Sequence, residues 1–313
     1  MATKPEVNTW VQMIRRVARL RPAMNRAVLQ VVDAMRARLT DAEIDAWIAS
    51  GSVDELVNTL LQDVGITAAL HRVRLQLLLV FLSGADFMQT RFHQMSRLAF
   101  DVLQHDVTGT VLRIDTKVAA AIRNDIAAVI RNAIVEAIQA GRGSKGVGPR
   151  VRAMLGLSPS QAADVERFRQ ALLSGDTARV LRYARRDKTF DRLVRTKAYT
   201  PVQIERMVRA YRLQRIALNV ETIARTAALD AFKAGQQAAI EQAMQRGVFG
   251  ALSTRIVKTW VNMGDNKVRE EHLDGAMGGE TVPWDRPYSN GDMVPGQSTW
   301  NCRCVSHFSL LPI

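Results

Sequence analysis

Residues 200–247 read TPVQIERMVRAYRLQRIALNVETIARTAALDAFKAGQQAAIEQAMQRG. The Thr200-Pro201 pair places a capping residue before a proline at the first helical position, and Gly247 stands just beyond the last residue that keeps helical spacing. The spacing therefore predicts one helix from Pro201 to Gln245, with Gly235 the residue inside it that argues for a break. Arg206, Arg209, Arg212 and Arg215 recur every third residue on it and cover one broad face, given about 100° of turn per residue. Such a stretch decides the fold class as mainly α. Composition agrees, since aromatic residues make up only 6% of the chain, fewer than an all-β protein would need.

Working upstream, the positive charge becomes concentrated. The chain has 313 residues and a net charge of +13. Residues 141–220 hold 18 Lys and Arg against 6 Asp and Glu, and residues 1–40 hold 8 against 2, so the remainder is net acidic. A concentrated positive field attracts polyanions. Arg179, Arg182, Arg185 and Arg186 form a cluster in short helices expected over Asp176–Arg186 and Lys188–Lys197. With Arg206, Arg209, Arg212 and Arg215 they make the candidate DNA-binding set. The planar guanidinium fork suits phosphate oxygens. No aromatic platform interleaves with these arginines and no base-reading motif is visible, so contacts to the DNA backbone without sequence preference are expected. Ser158-Pro159 reads as a helix start. Residues 141–148 contain four glycines and read as a flexible hinge; a phosphate loop is excluded because the Gly-Lys-Ser/Thr order and a preceding strand are absent.

Residues 1–140 read as a helical domain. Trp10, Ile14, Val17 and Leu20 keep a 3.6-residue period. Pro22 should end or kink that helix, with a second one from Met24 to Leu39. Thr40–Glu43 and Ser52–Glu55 both have capping-box spacing. A long helical pattern from Ile66 to about His105 is interrupted at Ser83-Gly84, and its apolar centre, Leu75–Phe81, is expected to be buried. Asp106–Ile114 reads as a loop, with Asp115 capping a helix to Ala140. The longest apolar run, Leu75–Leu82, is short of a membrane span, and the N-terminus lacks an apolar leader, so no membrane partner is expected.

Downstream of Gly250 the chain changes to Pro- and Gly-rich turns and carries both cysteines. Residues 250–313 therefore read as a separate small α+β module, after a basic helical region over 141–249. Thr254–Val261 and Asn301–Phe308 read as strands, and Glu270–His272 as one helical turn. The module contains Lys258-Thr-Trp260, Asp265 followed by Val268, Arg269, His272 and Asp274-Gly275, then Pro295-Gly296 and Asn301-Cys302-Arg303-Cys304. In this order the elements resemble the phage head morphogenesis family, the minor head proteins similar to protein F of phage Mu. Thr222–Thr226 is similar to the Ile-Ala-Arg-Thr-Glu segment of that family, with Ala227 in place of its Glu. The resemblance spans roughly residues 200–308.

The resemblance implies a low-copy structural protein of the phage head. It would associate with the portal, and with major capsid or scaffolding proteins, in several copies around the ring. It would act in head assembly and DNA packaging or delivery, in the virion near the portal vertex and in the host cytoplasm during assembly. Two other classes fit parts of the chain, a zinc-dependent hydrolase or nuclease and a nucleoid-like DNA-binding protein. No His-Glu-x-x-His or second acidic cluster is present, so a non-enzyme is expected. His272, Cys302 and Cys304 could bind zinc tetrahedrally, with His307 or Asp265 as a fourth ligand. Alternatively His272 satisfies a turn and the cysteines pack as small hydrophobes. A disulfide across one intervening residue would be strained. Trp260 is expected to bury its ring between this module and the long helix, Arg269 and Asp265 to form an ion pair or a turn hydrogen bond, and Asn301 to satisfy loop backbone. Asp274, Pro295 and Gly296 complete the set of turn-forming structural residues.

Overall fold

The computed structural model describes residues 4–50, 53–95, 99–103, 106–139, 147–249, 254–262, 264, 268–273 and 276–312. Among them are ten α-helices and three strands. The helices are α1 (Lys4–Arg38), α2 (Asp41–Ser50), α3 (Val53–Leu61), α4 (Val64–Arg91), α5 (Val107–Gln139), α6 (Gly148–Met154), α7 (Pro159–Leu173), α8 (Thr177–Arg182), α9 (Asp191–Thr196) and α10 (Pro201–Gln245). The strands are β1 (Thr254–Val261), β2 (Thr281–Pro283) and β3 (Val305–Pro312). The mainly α class with a small mixed C-terminal module is therefore correct. The Gly-rich stretch lies outside the described residues up to position 146, as does Ser52 of the second expected capping box.

The chain divides into two compact units. One comprises Met1–Ala27, His71–Val118 and Ile223–Ile313, the other Val28–Leu70 and Ala119–Thr222. In the first unit the crossing of α4 and α10 is set by two glycines. A Cβ at Gly84 would come within 2.9 Å of the Phe232 carbonyl carbon, and one at Gly235 within 2.8 Å of that of Phe81. The two backbones thus meet where neither helix carries a side chain, and Phe87 packs on Phe232 at 5.7 Å between ring centroids. This is why Ser83-Gly84 does not interrupt α4 and Gly235 does not interrupt α10. By length and composition α4 is apolar enough to cross a membrane. Only a third of its apolar stretch is buried: Val73, Leu77, Val80, Phe81, Ala85 and Met88 are buried in the unit, while Leu75 and Leu79 are exposed rather than part of a continuous buried centre.

Two further expectations in this unit are corrected. Pro22 lies inside α1 without ending it. The hydrogen bond that Pro22 cannot make belongs to the Ala18 carbonyl, and both residues are exposed, so water can replace it. Helix α5 begins at Val107, with Asp106 accepting from the Gly109 amide at 2.7 Å as its capping group. Asp115 is instead buried within α5, where Arg74 donates to it through Nε at 3.0 Å and Nη2 at 2.8 Å. That role depends on a residue 41 positions away and has no local signature.

In the second unit the capping signals hold, although the helix expected over Asp176–Arg186 ends at Arg182. Thr40 and Glu43 satisfy each other's amides at 2.9 and 3.2 Å ahead of α2. Ser158 and Gln161 form the capping box of α7, with Pro159 in its first turn. Asp176 caps α8. Phe168, Tyr183 and Tyr211 pack together with ring centroids 4.5–5.5 Å apart, which draws α7, the end of α8 and α10 to one core.

The three strands belong to the first unit and form an antiparallel sheet in the order β2-β1-β3. Trp260 on β1 stands opposite Ser306 on β3, and Thr259 opposite Thr281 on β2. Strand β2 has no clear signal in its three residues, and β3 begins at Val305 rather than Asn301. Helix α10 closes before β1 with the Val248 amide bonded to Ala243 and the Gly247 amide to Met244, the double bond pattern of a glycine-terminated helix.

Candidate functional site

The C-terminal module is built around Trp260, which is fully buried with Met277, Tyr288, Cys302 and Cys304. Its alternation along β1 points it into the module, where it meets the His272 ring at 4.9 Å and the Tyr288 ring edge-on at 5.1 Å. His272 ends the turn Glu270–His272. The backbone carbonyl of His272 accepts from Asn262 Nδ2 at 2.9 Å, which pins the turn to the end of β1. Its Nδ1 lies 3.6 Å from Cys302 Sγ and 3.8 Å from Cys304 Sγ.

The cysteines precede β3 rather than lie on it. They converge because Asn301 adopts a left-handed backbone (φ 62°) and because Gly296 leaves room for them. A Cβ on Gly296 would sit 2.5 Å from Cys302 Cβ, and its φ of 82° is one that L side chains rarely adopt. The Pro295-Gly296 turn is thus sterically coupled to Cys302. Both thiols are buried and unbridged. Hydrogen bonding between them holds the Cys302 thiol below the ordinary range and pushes Cys304 up, and the Lys233 charge favours ionisation of both.

Two lysines given no role by sequence reasoning hold the loop that carries Pro295. Lys233, on α10 and 1% exposed, donates to the Pro295 carbonyl at 2.6 Å. Lys258, on β1 and fully buried, donates to the Met293 carbonyl at 2.8 Å and stands over the Tyr288 ring at 5.2 Å. Burial lowers the Lys258 pKa to about 8. Buried ammonium groups are costly unless hydrogen-bonded, and here each anchors a loop carbonyl. The Lys-Thr-Trp stretch carried the available signal for Lys258; nothing local distinguishes Lys233.

Other motif residues make contacts that the sequence did not signal. Arg269 donates to the Trp300 carbonyl at 2.9 Å; Asp265, and with it the contact expected between the two, lies outside the described residues, as does Asp274. Asn301 accepts from Arg225 Nη2 on α10 at 2.8 Å instead of serving loop backbone alone. His307 contacts Thr9 Oγ1 at 3.0 Å and does not join His272 and the cysteines. Ala227, where the resembling family has Glu, is buried.

The arginine set separates by environment. Arg179, Arg182, Arg185, Arg206 and Arg209 are exposed. Arg186 makes a two-pronged pair with Asp191 at 2.8 and 2.7 Å, and Arg215 is paired with Asp164. Arg212 is half-buried, with its pKa lowered first by burial and then by Arg36, Arg169 and Arg209.

Fold and site together define a helical, arginine-rich protein with a small end module closed around a buried Trp-His-Cys-Cys cluster. Residues 128–307, more than half of the chain, match the family described as Phage Mu protein F like protein, and the chain belongs to that family of phage head morphogenesis proteins. The match starts within α5, well upstream of residue 200, so it takes in the arginine-bearing helices as well as the end module. No curated protein and no solved structure matches the chain.

Proposed function

We propose that this protein is a structural minor component of the phage head, placed at the portal vertex in several copies and contacting packaged DNA through phosphates. Family membership supports the head assignment. The DNA contact rests chiefly on one observation, the five exposed arginines Arg179, Arg182, Arg185, Arg206 and Arg209 in the most basic segment of the chain. Arg186 and Arg215 spend their charge on Asp191 and Asp164, so they position helices rather than meet DNA. The role is that of an assembly part rather than a catalyst, with portal, major capsid or scaffolding proteins as partners during head formation in the host cell.

Quantitative mass spectrometry on particles and procapsids tests the location. A low ratio to the major capsid protein, similar to that of the portal, is the expected result; absence from both would reject the head assignment. For DNA, five phosphate contacts give a slope of log affinity against log salt of roughly −4.5, or roughly 500-fold weaker binding between 50 and 200 mM salt. Replacing Arg179, Arg182 and Arg185 by Gln should remove about 2.7 from that slope. Affinity indifferent to salt would refute the phosphate contacts.

A further inference from the structure

The packing of His272 with the two cysteines has a spacing that a hydrophobic core does not require. The His272 Nδ1 and the two sulfurs all lie within 4.8 Å of one another and belong to buried residues. Two edges of this triangle, 3.6 and 3.8 Å, radiate from the same nitrogen. A tetrahedral zinc with Zn–S near 2.3 Å and Zn–N near 2.05 Å would set its N–S edges at about 3.6 Å. Both N–S edges therefore match those of a zinc tetrahedron, and the two sulfurs lie within 4.8 Å of each other.

We propose that His272 Nδ1, Cys302 Sγ and Cys304 Sγ bind a zinc ion that fastens the Glu270–His272 turn to the segment leading into β3. Two thiolates and one imidazole are a soft, nitrogen–sulfur donor set suited to zinc rather than to magnesium or calcium. Two thiolates also balance the charge of the ion, so its burial beside Trp260 adds no net charge to the core. Among the described residues no fourth His, Cys, Asp or Glu joins the group. The three ligands line a cavity of about 140 Å³ shared with Arg269, Asn301 and Arg303. That space is enough for a water in the fourth position, and its two arginines favour an anionic ligand there. The surrounding contacts hold the ligands in place. Asn262 fixes the turn that carries His272, and Gly296 packs on Cys302. Such a site would couple metal binding to folding of the end module.

The test uses the full chain, produced with zinc supplied and kept reduced. Elemental analysis after gel filtration should find about one zinc per chain. Replacement by cobalt should give the intense visible bands of a tetrahedral site, together with a sulfur-to-cobalt charge-transfer band. Cys302→Ser, Cys304→Ser and His272→Asn should each lose retained metal and shift or abolish those bands. Wild-type chain that carries no zinc and shows no cobalt bands overturns the proposal, leaving thiol–imidazole hydrogen bonds as the reason for the cluster. So does a Cys302→Ser, Cys304→Ser double variant that keeps the full metal content and spectrum. The wild-type cobalt spectrum decides the matter even if every variant misfolds.

Discussion

Replacing Gly235 by Ala sets two physical effects against each other with opposite signs. In a helix interior Ala is favoured over Gly by about 1 kcal/mol, so a helix considered alone would be stabilised. At this position, however, the new Cβ would collide with the Phe81 carbonyl oxygen, and would lie 2.8 Å from the Phe81 carbonyl carbon and 3.1 Å from the Ala85 amide nitrogen. Carbon atoms pack comfortably at about 3.5–4.0 Å, so α4 and α10 must part by about 1 Å. The obstacle is backbone, which cannot rotate aside as a side chain could. Overpacking of a tight core costs about 1–3 kcal/mol, and a gap of that size also forfeits roughly a quarter to a half of the dispersion energy of the contacts it opens. A loss near 3 kcal/mol less the gain from Ala leaves the variant destabilised by about 2 kcal/mol. Urea unfolding followed by circular dichroism measures it. Gly84→Ala should behave alike, since its Cβ meets Phe232. The double variant should cost less than the two single costs together, because helices already separated by one methyl accommodate the second. A Gly235→Ala chain more stable than wild type by about 1 kcal/mol, the propensity effect alone, would refute the close crossing.

Trp260→Ala should destabilise the chain by about 3–5 kcal/mol, because a fully buried ring is removed from the centre of the end module; unfolding curves measure it. Thr40→Ala should cost about 1 kcal/mol through loss of the α2 cap. The same cap lowers the Glu43 pKa to about 2, chiefly through the hydrogen bond from the Thr40 amide. Since the folded pKa lies below the ordinary 4.5, its stabilisation is present above pH 4.5 and lost as pH falls toward 2, and Glu43→Gln should flatten that part of the acid unfolding profile. Lys258 gives a slope of the same sign at higher pH. With a folded pKa of about 8 against 10.5, the unfolded chain binds more protons between those values, so stability should rise with pH across that window, and Lys258→Met should abolish this increment in denaturation curves taken at several pH values.

What the sequence determined by itself was the part written in short-range chemistry. A Thr-Pro pair and a terminal glycine delimit a 45-residue helix because capping and termination act within one turn of the chain. The same locality made the Thr40–Glu43 box, the Ser158 cap and the full extent of β1 readable, and the spaced Trp, His and Cys residues marked the end module before its geometry was known. The tertiary structure decided the rest, where a residue's role depends on what another element brings to it. Gly84 and Gly235 look like helix breakers until two backbones meet there. Asp115 resembles a cap until Arg74, 41 positions away, pairs with it. Arg186 and Arg215 are indistinguishable in sequence from Arg179 and Arg209, yet carboxylates on neighbouring segments claim them. Lys233 and Lys258 bear charges that composition assigns to the surface, and packing turns them inward onto loop carbonyls. Cys302, Cys304 and His272 are 30 and 32 positions apart along the chain, and only the left-handed turn at Asn301 and the space above Gly296 bring their donor atoms together. Local preferences are encoded within a few residues, whereas burial, pairing and ligand geometry follow from which surfaces the folded chain places in contact.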